Sequence, residues 1–196
     1  PVSVGIVFML LMTIVLMGPT WRQQASPLAK DEAALVILLD ASSSMRQKDI
    51  QPSRLQRAKQ KISDLLELRT GSRTALVAFA GSAHTVLTLS DDADILGQYL
   101  QAIKPRVMPR SGKFAEYALP LVDEIVGTSS APTTVLLVSD GLSAETTSAF
   151  ESFFGERPHQ LLVWGIGSLE PAAESGAAPL EERALKQLAD ISGCHY

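Results

Sequence analysis

The run from Ala33 to Leu39 is apolar throughout, and Asp40-Ala41-Ser42-Ser43-Ser44-Met45 follows it without a break. A run so uniform reads as a strand buried on both faces, at home in a sheet covered by helices on either side. It ends on one carboxylate and two alternate hydroxyls, small oxygen-bearing side chains that a tight turn can aim at one point. Such a loop suits Mg²⁺, which takes oxygen ligands in near-octahedral geometry, or the related Mn²⁺ and Ca²⁺. Asp40 would supply charge, Ser42 and Ser44 neutral oxygens. A single Ser-rich stretch after a strand is ordinarily just a turn, because Ser and Asp hydrogen-bond their own backbone. The second half of the chain changes the odds: Thr133 to Ser139 is another strand-like run, and it too ends in a carboxylate followed by glycine, Asp140-Gly141. In open parallel sheets ligands gather at the carboxyl ends of strands where strand order reverses, so Asp40 and Asp140 are predicted to meet across one crevice.

Strand-like and helical patterns alternate along the rest of the chain, which argues for an α/β fold with a doubly wound, mostly parallel sheet. Ser53 to Leu68 reads as a helix, opened by a capping pattern from Ser53 to Gln56, with Leu55, Ala58, Ile62 and Leu65 on one face. Thr74 to Phe79 and Thr85 to Leu89, joined by a Gly81-Ser82 turn, read as a hairpin that places one antiparallel strand at the sheet edge. Helices are expected over Asp92 to Ile103, capped by Ser90, over Phe114 to Val126, around Thr146 to Phe154, and over Leu180 to Ile191, closed by Gly193. Gln160 to Gly165 is a further strand, Lys104 to Gly112 and Glu170 to Pro179 are loops, and Cys194 to Tyr196 would begin another strand.

Val2 to Met17 carries no charge and only Ser3, Gly5 and Thr13 break its apolar character. Near the lower limit by itself, it falls within the roughly 17 to 25 residues a membrane span needs once extended through Gly18 to Trp21, and it is longer than the core of a signal peptide. The expected organisation is a transmembrane segment over 1–21, a polar linker over 22–32 and one domain over 33–196. All 17 basic and 21 acidic residues follow Trp21, leaving a net charge of −4 that offers no basic face for nucleic acid. The lone Cys194 excludes an internal disulfide and a cysteine-based zinc site. His84, His159 and His195 lack metal-ligand spacing and read as surface or capping residues.

The two site motifs together resemble the von Willebrand factor A family and its metal-ion-dependent adhesion site, and the likeness covers residues 33 to 196. Asp49-Ile50-Gln51-Pro52-Ser53-Arg54-Leu55, Ala75-Leu76-Val77-Ala78-Phe79-Ala80-Gly81 and Leu89-Ser90-Asp91-Asp92 are similar to the membrane-anchored, bacterial aerotolerance (BatA/BatB-like) subgroup. The resemblance implies a Rossmann-like fold and a non-enzymatic interaction domain. Its partner would present an acidic side chain to a cation held by Asp40, Ser42, Ser44 and Asp140. It also implies a bacterial inner-membrane location, with the domain on the periplasmic side, and work beside a MoxR-type AAA+ ATPase in envelope assembly or stress tolerance. In the family a Gly-Thr pair completes the site, whereas this chain has Gly112-Lys113. A hydroxyl can ligate a cation; an ammonium has no lone pair and repels one. Lys113 therefore either points to solvent, leaving Ser111 or water in the missing place, or stands where the cation would be and pairs with Asp40 and Asp140. In the latter case the site is metal-independent. The alternative reading is a structural or interaction module whose metal site is vestigial and which binds through another surface.

Enzymatic readings fit less well. A haloacid-dehalogenase-like phosphotransferase would use Asp40 as nucleophile but needs an acid two residues on, where Ser42 stands. Ser111-Gly112-Lys113 lacks the remaining residues of a phosphate loop. Ser42 and Ser44 lack the Gly-x-Ser-x-Gly elbow and a nearby histidine in sequence.

Overall fold

Apolar β-branched and leucine-rich segments can only be satisfied between two layers, and four of them, with one half-exposed edge strand, form one sheet here. The computed structural model describes residues 2–16, 34–69, 71–127, 132–155, 157–170 and 178–191. It divides into two units, 1–30 and 31–196. The first holds helix α1, Val2–Leu16. The second holds β1 (Leu35–Asp40), α2 (Arg54–Leu68), β2 (Thr74–Phe79), β3 (Ala83–Ser90), α3 (Ala93–Ala102), α4 (Leu119–Gly127), β4 (Thr134–Ser139), α5 (Ala144–Gly155), β5 (Gln160–Gly165) and α6 (Glu182–Ile191).

The sheet order is β3-β2-β1-β4-β5. Strands β1, β2, β4 and β5 are parallel, and β3 lies antiparallel to β2 at the edge. Alternation along each strand sends residues to opposite faces. Val36 and Leu38 of β1 pack with Val77, Phe79 and Leu137 under Val122 of α4, Phe150 of α5 and Leu185 of α6. Leu35, Ile37 and Leu39 pack with Leu76 and Leu136 under Ala58 and Ile62 of α2 and Leu96 and Leu100 of α3. This is the doubly wound architecture expected from the sequence. The chain leaves β1 towards β2 on one side and returns to β4 on the other, so the order reverses between β1 and β4. Asp40 ends the first of these strands, and Asp140 directly follows the last residue of the second.

Several local expectations need correction. The cap of α3 is Asp92, whose Oδ1 accepts from the N–H groups of Asp94 and Ile95 at 3.0 Å each, while Ser90 Oγ accepts from the Asp92 N–H one turn earlier. The single helix expected over Phe114 to Val126 is a 3₁₀ turn, Ala115–Ala118, followed by α4. Pro120 has no N–H to return to the preceding turn, so the α-helical ladder starts afresh around it. The capping of α2 is as expected, with Ser53 Oγ accepting from Gln56 N–H at 3.2 Å.

Helix α1 carries exposed Val4, Ile6, Val7, Phe8, Met9 and Met12. Its 15 residues rise about 22 Å, short of the roughly 30 Å of a bilayer core. Among the described residues no helix is long and apolar enough to cross a membrane. Residues 17–21, the expected linker, Gly193 and the expected strand from Cys194 lie outside the described residues.

Candidate functional site

The site forms because two neighbouring parallel strands stop at the same level. Ser42 N–H turns back to Asp40 Oδ1 at 2.7 Å, which folds the serine loop over the end of β1. A 3₁₀ turn, Ser43–Arg46, then buries Met45 beneath it. Ser42 Oγ and Ser44 Oγ are 3.0 Å apart, and Ser44 Oγ donates to Asp140 Oδ1 at 3.0 Å. The four expected site residues on the two loops therefore share one crevice. Asp40 is fully buried, so the crevice belongs to the core.

Lys113 reaches the same place. Its Nζ donates to Asp140 Oδ1, the oxygen that also accepts from Ser44. The backbone before it is held tightly. Gly81 N–H donates to Arg110 O at 3.1 Å and Phe114 N–H to Ala80 O at 2.9 Å, fastening the 110–114 loop to the end of β2. Two glycines permit this approach: a Cβ on Gly81 would lie 2.2 Å from Ser111 O, and Gly112 has φ +146°. Among the described residues Lys113 pairs directly with Asp140 and acts on Asp40 through its charge. The solvent-facing alternative for Lys113 does not describe this geometry.

Asp140 is braced from its other side by Arg54, a member of the Asp49 to Leu55 motif to which the sequence alone assigns no part in the site. Arg54, 1% exposed, donates from Nη1 to Asp140 Oδ2 at 2.6 Å. Its Nε and Nη2 grip the two oxygens of Asp49 at 2.8 Å each, and Nη2 also reaches Ala178 O at 2.5 Å. Asp49 further accepts from Ser168 N–H at 2.7 Å. A planar guanidinium suits this role because its fork addresses two carboxylates at once. Arg54 occupies the first position of α2, where the helix dipole disfavours a cation. That misplaced charge was the available hint of a buried partner.

Burial pushes the Asp40 carboxyl up to about 6, and the neighbouring negative Asp140 adds to the shift; Lys113 and hydrogen bonds from Ser139 and Ser42 oppose it. Ser139 Oγ lies 2.6 Å from Asp40 Oδ2 and 2.7 Å from Gly141 O. Burial acts upward on Asp49 too, but Arg54 and the Ser168 N–H outweigh it and hold that carboxyl below its ordinary range. Three carboxylates thus face two cations, Arg54 and Lys113, and Arg54 is shared.

Asp40, Ser42, Ser44 and Asp140 carry the oxygens that a hard cation takes, and Ser42, Ser44 and Asp140 touch in turn, while the two Asp40 oxygens accept from Ser42 N–H and Ser139 Oγ. Asp140 Oδ1, however, already serves an ammonium, so a metal could use it only after Lys113 withdrew. Neither described histidine attends the serines. His84 Nε2 is 2.9 Å from Ser82 Oγ, and His159 Nδ1 accepts from Thr133 N–H at 3.3 Å. Both are surface or backbone-supporting partners, as their spacing suggested; His195 lies outside the described residues.

Solved structures share this fold. The chain is similar to BatB from Bacteroides thetaiotaomicron, with a TM-score of 0.74 and 23% identity, covering 83% of this chain and 87% of that one. It is similar to an aerotolerance-related membrane protein from Bacteroides fragilis NCTC 9343, with a TM-score of 0.73 and 23% identity over 83% and 89%. Among curated proteins it is 23% identical to a UPF0353 protein of Mycolicibacterium paratuberculosis and 26% identical to one of Mycobacterium sp. (strain KMS). Each match covers 98% of this chain but only 63% and 62% of the relative, so the chain spans under two thirds of their length. The model of the von Willebrand factor type A domain matches residues 35–143, which run from β1 past Asp140 and make up more than half of the sequence, and the chain belongs to that family.

Proposed function

We propose that this chain is a membrane-tethered, non-enzymatic interaction domain in which Lys113 does the work of the family's cation, and that it meets an acidic side chain of a protein partner at the carboxyl edge of its sheet. The observation that carries the reading is the ion pair of Lys113 with Asp140, made inside the crevice of Asp40, Ser42 and Ser44. The pair neutralises one buried carboxylate with the chain's own charge, and Arg54 braces the other side. A unit-charge pair at about 4 Å is worth roughly 4 kcal/mol at an effective dielectric of 20 before desolvation, enough to compete with weakly held Mg²⁺.

The converging oxygens support a second state, in which Mg²⁺, Mn²⁺ or Ca²⁺ displaces Lys113 and is held by Asp40, Ser42, Ser44 and Asp140. The cation would then offer an open coordination position to the partner's carboxylate. The tether is supported by the uncharged helix α1 with its exposed apolar side chains, and by likeness to a protein described as an aerotolerance-related membrane protein. By the subgroup resemblance of the sequence, the partner would belong to an envelope system of the MoxR-type ATPase kind, with the domain on the periplasmic side of the inner membrane. A non-enzymatic role is supported by serine hydroxyls that have no histidine beside them among the described residues, and by Asp140, whose two oxygens are both engaged by cations.

A calorimetric Mg²⁺ titration of the full chain in neutral detergent, run with a chelator control, tests the reading. The expected result is no saturable heat and an unchanged melting temperature. Saturable Mg²⁺ binding with a matching rise in melting temperature would transfer the role from Lys113 to the metal.

A further inference from the structure

Three arginines line a cavity of about 190 Å³ beside the crevice. Arg46, Arg106 and Arg110 line it together with Ser42, Ser43 and Ser111. All three arginines are exposed, and among the described residues none makes an ion pair with a carboxylate. From Lys104 to Lys113 the chain places Lys104, Arg106, Arg110 and Lys113 with no Asp or Glu, although its net charge is −4. A concentrated field of one sign on an oppositely charged molecule attracts and orients a counter-charged ligand.

The arginines are also mounted on stiff backbone. Arg46 closes the 3₁₀ turn Ser43–Arg46, and Arg106 sits within the 3₁₀ turn Pro105–Val107. Pro109 precedes Arg110, whose carbonyl is tied to Gly81 N–H. The charges at the centre of the crevice are already engaged: Lys113 on Asp140, Arg54 on Asp49 and Asp140. Beyond the one acidic group that Lys113 would meet, further anionic groups of a partner therefore find positive charge at the arginines.

We propose that this arginine cleft is a docking site for an acidic peptide segment of a partner protein, one bearing at least two neighbouring carboxylates. The inference rests on the proposed acidic-partner reading and specifies where the partner's further acidic groups bind. The size of the cavity favours side chains, since small-molecule sites generally exceed about 300 Å³. No aromatic residue lines it for base stacking, which disfavours nucleic acid. Its concave, hydroxyl-lined mouth suits carboxylates held by guanidinium forks.

The test uses fluorescein-labelled hexaglutamate and hexaglutamine peptides, read by fluorescence anisotropy with the full chain in neutral detergent. Hexaglutamate is expected to bind, more weakly as salt rises, and hexaglutamine not to bind. Replacing both Arg106→Ser and Arg110→Ser should weaken hexaglutamate by at least about tenfold with an unchanged melting temperature. The pair Lys61→Ser and Arg183→Ser, two exposed cations on α2 and α6, removes equal charge elsewhere and should weaken it far less. Equal weakening by the two pairs, or equal binding of both peptides, overturns the proposal. Weakening by Lys113→Met but not by the arginine pair also overturns it, while leaving the acidic-partner reading of the crevice in place. Arginine-dependent binding to phosphatidylglycerol vesicles, with no binding of hexaglutamate, makes the cleft a lipid-facing surface and overturns it as well.

Discussion

Arg54 and Asp140, 86 residues apart, meet at 2.6 Å with both side chains 1% exposed. The contact ties the start of α2 to the loop after β4 and makes the crevice a braced structure rather than two neighbouring turns. Because Arg54 also holds both oxygens of Asp49, it is the common partner of two buried carboxylates.

Replacing Arg54 should therefore be severe. Arg54→Met leaves Asp49 and Asp140 short of a cation and is expected to cost on the order of 3 to 5 kcal/mol, read by chemical denaturation. Arg54→Lys should restore only part of this, since one ammonium cannot form the same forked contacts.

Lys113→Thr removes an ammonium from Asp140 Oδ1 and adds a hydroxyl beside the crevice. Mg²⁺ affinity measured by calorimetry should rise at least tenfold, which corresponds to about 1.4 kcal/mol. Equal affinity in the two proteins would mean that Lys113 does not compete for the cation position.

The Asp40 carboxyl should leave a signature in the pH dependence of stability. Its folded value of about 6 exceeds its ordinary 3.8, so between these values the folded state binds more protons than the unfolded one. Stability from this group is thus greatest below about 4 and falls as pH rises through 6, by on the order of 3 kcal/mol. The Ser139 hydroxyl fits both protonation states. It can donate to ionised Asp40, or turn to Gly141 O and accept the proton of neutral Asp40. Denaturation curves of Asp40→Asn across pH 4 to 7 should lack this fall. Asp49, held low by Arg54, acts in the opposite sense and at lower pH, losing its contribution as pH drops below about 4.

Gly112→Ala tests the mounting of Lys113. At φ +146° the new Cβ would lie 2.6 Å from the Phe114 ring and 2.9 Å from Gly81 Cα. A loss of about 1 to 3 kcal/mol in stability is expected, together with displacement of the 110–114 loop. A resulting gain in Mg²⁺ affinity would show that the loop, not only the lysine side chain, keeps the cation position closed.

The layering of this protein was legible from local pattern. Leu35 to Leu39, Leu76 to Ala78 and Val135 to Val138 are apolar on both faces because helices cover both, and that demand is written residue by residue. The capping of α2 by Ser53 and the pairing of β3 on β2 were equally local. Boundaries were less so. Pro120 divides the expected Phe114 to Val126 helix through its missing N–H, and Asp92 takes the cap assigned to Ser90 because its carboxylate is the one that reaches the first free N–H groups of α3.

Asp40, Ser42, Ser44 and Asp140 could be named from the sequence because strand ends in a doubly wound sheet fall at a common edge. The sequence by itself thus determined that these four side chains lie at one edge of the sheet. It left open where the ammonium of Lys113 would go, and it did not disclose that Arg54 would be buried between Asp49 and Asp140. Those outcomes depend on chain segments 27 to 86 residues apart being brought together, and on solvent being excluded between them. Burial then makes an unpaired charge costly, so the tertiary structure, rather than any local preference, selected which cation met which carboxylate.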